Sequence, residues 1–358
     1  MAISMFIQKS FRPKTADGWC LDVICYRDTR HFDPRRKPVL MIPGYAMNVF
    51  ILNFHPTGMS MIEYLCAQGF EVWAANLRGQ GASIYIGEPG PEKNASKRRR
   101  LSWRRGARAA RAPKYGFREL SLVDFPCARD FALAHSQTSA TEVHAIGCSL
   151  GGSLLYAYLA HNPRDHQIAS MTAIGGPLRW DDIHPAMRAA VRFPILTGLI
   201  PTRGTRQAAR VMLPVLKRVP RVLSIYMNAQ QINLDDSESM VQTVEDPSSR
   251  LNYQIARWVK NRDLHVDGLN VTEALAQLND LPILCIVANA DGIVPVAAAS
   301  SVCDIAGKCT TKILQVGGDG NDWYAHADLF VSENAQATVF KPMGDWLYAQ
   351  PLIQADRI

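Results

Sequence analysis

Apolar positions along the chain follow two patterns that alternate. Short apolar runs at 38–42, 70–75, 142–148, 171–174 and 282–287 read as buried strands, and 312–316 reads as a further strand. Between them lie helix-period segments. One spans 59–68, and one is expected to start at Asp124, with Pro126 in its first turn and Phe131 and Leu133 on its apolar face. A third follows residue 149, with Leu154, Leu155, Tyr158 and Leu159 at helical spacing; a fourth runs through Val302; a fifth closes the chain at about 334–347. Ahead of these, 9–27 reads as a hairpin turning at Asp17-Gly18. Strands that alternate with helices predict an α/β fold with a mostly parallel sheet. From 177 to about 279 the alternation stops, and helices are broken by Pro185, Pro194, Pro201, Pro214 and Pro220. The expected organisation is a core in two parts, 1–176 and 280–358, with a helical cap at 177–279.

Composition narrows the class. The 358 residues, 47% hydrophobic, can bury a large core, and no apolar run has the length of a membrane-spanning helix. The first residues lack the apolar block and small-residue cleavage site of a signal peptide, so the expected location is cytoplasmic. Eight cysteines without a CxxC pair predict neither a disulfide framework nor a zinc site.

Charge is concentrated. The chain carries +7, but residues 84–118 alone carry +9, so the rest is slightly acidic. This basic insertion is poor in aliphatic residues and broken by Pro89, Pro91 and Pro113, which predicts a surface segment. An anionic membrane surface is a candidate partner; no nucleic-acid-binding motif accompanies its single Trp103. The cap is basic too: 181–230 holds eight arginines and lysines against Asp181 and Asp182. Its many apolar residues can pack on the core and line a channel for an acyl chain.

Candidate chemistry centres on Gly147-Cys148-Ser149-Leu150-Gly151, a Gly-x-Ser-x-Gly where an apolar run ends and a helical pattern begins. A serine on such a turn needs neighbours without bulk, and the turn lifts its hydroxyl clear of the sheet. The hydroxyl becomes nucleophilic only when a histidine removes its proton, and that histidine needs a carboxylate to fix its tautomer. In the chain order Ser, acid, His, the candidates are Asp291, in the loop after the 282–287 strand, and His326, with Asp319 and Asp322 as alternative acids.

Together these residues resemble the α/β-hydrolase superfamily. The resemblance covers the first and last sheet elements, the Arg78-Gly79-Gln80-Gly81 loop, the elbow and the Asp291 and His326 loops. Pro43-Gly44-Tyr45-Ala46-Met47-Asn48 and His326-Ala327-Asp328-Leu329-Phe330 are similar to bacterial lipase/esterase-like members distantly related to polyhydroxyalkanoate synthases and acid lipases. Pro43 stands where many members carry histidine. Ser149 stands where the polyester synthases have cysteine, with Cys148 one residue early and expected to face inward. The resemblance implies an eight-stranded sheet, oxyanion donors at the backbone N–H groups of Leu150 and Tyr45 (or Ala46), and no cofactor. It implies a serine hydrolase cleaving a carboxylic ester with a hydrophobic acyl part through an acyl-enzyme. An acyltransferase or thioesterase would use the same triad. A non-catalytic scaffold for binding would have no need to keep all three residues.

Overall fold

The computed structural model describes residues 5–87, 112–183, 192–199, 203–216, 223–233, 237–318 and 322–353, together with positions 185, 188, 219 and 320. Residues 88–111 of the basic insertion and the alternative acid Asp319 lie outside the described residues. Eight strands form one sheet: β1 Phe6–Phe11, β2 Asp22–Asp28, β3 Val39–Ile42, β4 Val72–Asn76, β5 Val143–Cys148, β6 Ile168–Ile174, β7 Ile283–Ala288 and β8 Thr311–Val316. Their spatial order is β1-β2-β4-β3-β5-β6-β7-β8. The β1–β2 and β2–β4 pairs are antiparallel and every later pair is parallel.

The apolar runs of β3, β4, β5, β6 and β7 are continuous because these central strands are buried on both faces, whereas the edge strands β1 and β8 are largely exposed. In β3, Leu40 and Ile42 enter one apolar cluster and Val39 and Met41 the other, as a period of two requires. The first cluster is covered by helices Phe125–His135, Leu150–His161 and Val296–Ile305, and the second by Met61–Ala67 and Lys341–Tyr348. Met61–Ala67 starts with a reciprocal cap, Ser60 Oγ accepting the Glu63 N–H and Glu63 accepting the Ser60 N–H.

Asp124 does not start its helix. The helical run opens at Phe117, passes through a wide turn at Leu120–Asp124 and continues as Phe125–His135; the Asp124 side chain caps nothing. Its fully buried carboxylate instead accepts from Arg78 Nε, shared between both oxygens, and from Nη2, with the Arg78 backbone N–H as a third donor. Arg78 also reaches Asp17. A buried arginine demands fixed partners more strongly than a helix start demands a cap.

Between β6 and β7 the described residues add no strand to the main sheet. Thr205–Leu216 and Ser237–Val241 lie over one end of it, whereas Leu251, Ala256, Trp258 and Val259 of Ser249–Asn261 enter the first core cluster.

Candidate active site

The candidate residues come from loops at the carboxyl ends of β3, β5, β7 and β8, the end of a parallel sheet where helix N-termini converge. Ser149 follows Cys148 directly, and its backbone has φ 51° and ψ −120°, a strained conformation for a residue with a side chain. The turn is tight enough to exclude Cβ atoms on both sides. A Cβ on Gly147 would lie 2.5 Å from the Gly152 nitrogen, and one on Gly151 2.5 Å from the Ile42 carbonyl oxygen. The Ser149 N–H donates to the Ile174 carbonyl at 2.7 Å, tying the elbow to β6. Cys148 is buried in the second cluster, facing inward.

Three residues far apart in sequence meet. Ser149 Oγ is 2.9 Å from His326 Nε2, and His326 Nδ1 is 2.6 Å from Asp291 Oδ2. With the proton assigned to Nδ1, His326 donates to Asp291 and accepts from the serine hydroxyl. The other carboxylate oxygen of Asp291 accepts the N–H groups of Ile293 and Val294, both at 2.8 Å, which fixes the plane of the carboxylate. His326 and Asp291 are buried, and the imidazole has Tyr226 on one side and Phe330 on another. Asp322, the alternative acid, instead offers its backbone carbonyl to Asn289.

Leu150 heads the helix Leu150–His161, so its N–H belongs to the first turn, where no carbonyl lies below to accept it. The facing loop, 43–48, runs close: a Cβ on Gly44 would lie 3.1 Å from Ser149 Cβ. Ala46 has φ 52°, and its carbonyl accepts the Glu245 N–H, while the Asn48 side-chain amide donates to the Gln242 carbonyl and the Glu245 carboxylate and the Asn48 backbone N–H donates to the Thr243 carbonyl. The Tyr45 hydroxyl turns aside to donate to Asn252 at 2.7 Å.

Beside this constellation lies an apolar cavity of about 320 Å³. Met47 and Ala327 line it where the 43–48 and His326 loops approach, Tyr226 and Met227 form a wall, and Ala209, Met212 and Leu213 of Thr205–Leu216 form its roof. That helix is anchored by Asp246, which accepts the Gly204 and Thr205 N–H groups, and by Arg206, which pairs with Glu245. Among the described residues no cluster of His, Cys, Asp and Glu could hold a metal ion, and no helix is long and apolar enough to cross a membrane.

Sequence reasoning did not assign roles to Asn48, Tyr226 or Asp328. Asn48 and Asp328 stood within the quoted motifs, but their partners lie 194 and 100 residues away. Asp328 is fully buried, and burial raises its carboxyl to about 7 against the lowering effect of the Ala325 and Asn228 N–H groups.

Comparison with known proteins bears on the fold. The chain is similar to the esterase RhEst1 from Rhodococcus sp. ECU1013 (TM-score 0.58, 16% identity, 95% of this chain and 99% of that one). It is likewise similar to a thermophilic esterase from Thermogutta terrifontis (0.59, 15%, 96% and 99%) and to the esterase EaEST from Exiguobacterium antarcticum (0.57, 14%, 95% and 100%). No curated protein sequence matches the chain. The sequence profile of the alpha/beta hydrolase fold matches residues 37–308, from the start of β3 to beyond the Asp291 loop, and with the strand order and the strained serine turn in agreement, the chain belongs to the alpha/beta hydrolase fold family.

Proposed function

We propose that this protein is a serine hydrolase that cleaves a carboxylic ester with a hydrophobic acyl part. The observation that carries the reading is the continuous hydrogen-bonded chain Asp291–His326–Ser149, ending on a strained serine, with an apolar cavity that meets the His326 loop at Tyr226 and Ala327. The esterases among the structural neighbours support the same chemistry.

The steps follow from these positions. His326 Nε2 takes the Ser149 proton as Oγ attacks the ester carbonyl, and Asp291 stabilises the imidazolium that forms. The negative charge on the tetrahedral oxygen falls to the N–H of Leu150 at the helix N-terminus and to that of Tyr45 or Ala46 opposite it; one such donor contributes about 10²–10³ in rate. The proton on Nε2 passes to the departing alcohol. Water then repeats the sequence on the acyl-enzyme and returns Ser149.

The test pairs active-site labelling by a fluorophosphonate with turnover of a p-nitrophenyl ester series. Turnover is expected to rise with acyl chain length until the apolar cavity is filled and to fall beyond that length. Ser149→Ala is expected to abolish labelling and turnover with the fold kept; labelling that persists at another serine rejects the assignment.

A further inference from the structure

A segment within the helical insertion, Leu223 to Asn228, touches both loops that carry the acid and the base. The Ile225 carbonyl accepts the Gly292 N–H at 3.2 Å, next to Asp291, and the Tyr226 carbonyl accepts the Ala327 N–H at 2.8 Å, next to His326. The two loops also meet directly, the Ala290 N–H donating to the Tyr324 carbonyl at 3.0 Å. At the centre is Asp328, fully buried. One of its oxygens accepts the Ala325 N–H at 2.6 Å, and both accept the Asn228 N–H, at 3.0 and 3.1 Å. Asn228 in turn donates its side-chain amide to the Trp323 carbonyl at 2.9 Å.

We propose that Asp328 is a positioning residue for the reaction: its carboxylate clamps the Tyr324–Ala325 peptide unit, just before His326, to the Leu223–Asn228 segment and thereby places Nε2 on the Ser149 hydroxyl. The inference rests on the ester-hydrolase reading for its rate effect. The physical argument is that a carboxylate is an acceptor only, and every polar contact it makes here is with an N–H group. Among the described residues no other side chain bonds both the Ala325 and the Asn228 backbone. Without the clamp, the imidazole keeps its bond to Asp291 on one side, but the loop that carries it loses its tie to the insertion. A displacement of about 1 Å at the reacting atoms costs on the order of 10²-fold in rate.

Asp328→Asn tests this, since it keeps the volume and converts one acceptor into a donor aimed at other donors. Three quantities are read on the full chain: the thermal transition, kcat and KM for the best p-nitrophenyl ester, and the low-field proton resonance of the His326–Asp291 hydrogen bond. The expected result is a cooperative transition, kcat lowered about 10- to 100-fold with KM within about twofold, and a resonance that is lost or moved. A variant that loses thermal stability while keeping wild-type kcat and an unmoved resonance overturns the proposal and leaves Asp328 a structural acid. The resonance does not depend on any ester being a substrate: a moved signal with no turnover by the wild type sinks the ester reading and keeps the positioning role. Should the variant not fold, amide exchange of the wild type decides. Ala325 and Asn228 are expected to exchange only with global unfolding, and exchange at the rate of a loose loop overturns the clamp.

Discussion

At the scale of single residues, the acid and base of the triad are expected to contribute unequally. His326→Ala removes the imidazole hydrogen-bonded to Ser149 Oγ and should lower kcat about as far as Ser149→Ala does. Asp291→Asn keeps the shape of the side chain and leaves the imidazole in the wrong tautomer, a loss of about 10⁴, somewhat less severe. If Asp291→Asn turns over esters at the wild-type rate while Asp322→Asn is dead, the acid has been misassigned. A second residue-scale prediction concerns His144, buried in β5 with its Nδ1 2.7 Å from Ser170 Oγ. Burial, helped by the charges of Lys37 and Arg36, lowers its pKa from 6.5 to about 3. The unfolded chain therefore takes up a proton below about pH 6.5 that the folded chain refuses until about pH 3, and the stability from this group is lost as pH falls through that window. The slope is about 1.4 kcal/mol per pH unit. In urea titrations from pH 6 to 4, His144→Gln should flatten the wild-type decline by about that slope. The difference between the two proteins isolates His144 from Asp328, whose raised pKa acts in the opposite sense. Parallel curves would show that His144 is protonated in the folded state.

The elbow shows how elements constrain one another. Gly151 lies in the first turn of Leu150–His161, where alanine would improve helix propensity by about 1 kcal/mol. Packing decides otherwise, because the added Cβ would lie 2.5 Å from the Ile42 carbonyl oxygen and 2.8 Å from that of Pro43. Backbone must then give way, and what yields is the turn joining β3 to the candidate oxyanion loop. Gly151→Ala is expected to lose fluorophosphonate labelling by more than tenfold (on the order of the 10² tied to an ångström of misplacement) while its urea midpoint falls modestly. A variant that labels at the wild-type rate would show that the helix and the loop can part without cost. The same contact explains why the motif was legible in the sequence: a glycine required by close approach leaves a local signature. The Arg78–Asp124 pair left none, since 46 residues separate its members and Asp124 in isolation reads as a cap.

For the whole molecule, the distribution of charge sets the expectation. The basic insertion leaves the body after Ile84–Tyr85, which pairs with Trp19–Cys20, and rejoins it at Tyr115, which shares a small cleft with Gly44 and Tyr45. Its ends thus sit on the side of the sheet that carries Ser149, while none of the hydrogen bonds within the triad involves it. We propose that it contacts anionic lipid surfaces. Replacing 93–111 by a short Gly/Ser linker should leave turnover of a small soluble ester within a few fold and weaken sedimentation with anionic vesicles. Wild-type binding should also fall with salt, since exposed charges more than about 10 Å apart are screened at 0.1 M. Unchanged vesicle binding removes the lipid role, and lost turnover in a folded variant makes the segment part of the site.

The sequence by itself determined the layered α/β class, the eight strands to within a few residues and the Gly-x-Ser-x-Gly turn at Ser149, and it narrowed the candidate base to His326 and the candidate acid to Asp291, with Asp319 and Asp322 as alternatives. Each of these leaves a local mark: period-two and period-3.6 apolar spacing, glycines without room for a Cβ, and polar residues just beyond the end of an apolar run. Only the tertiary structure decided which carboxylate reaches His326, that Tyr45 turns to Asn252, and that Asp124 holds Arg78. It alone decided that the insertion segment through Tyr226 and Asn228 joins the acid and base loops. Hydrogen bonds between residues tens to hundreds of positions apart are set by where the folded elements come to rest, and no spacing in the chain encodes them.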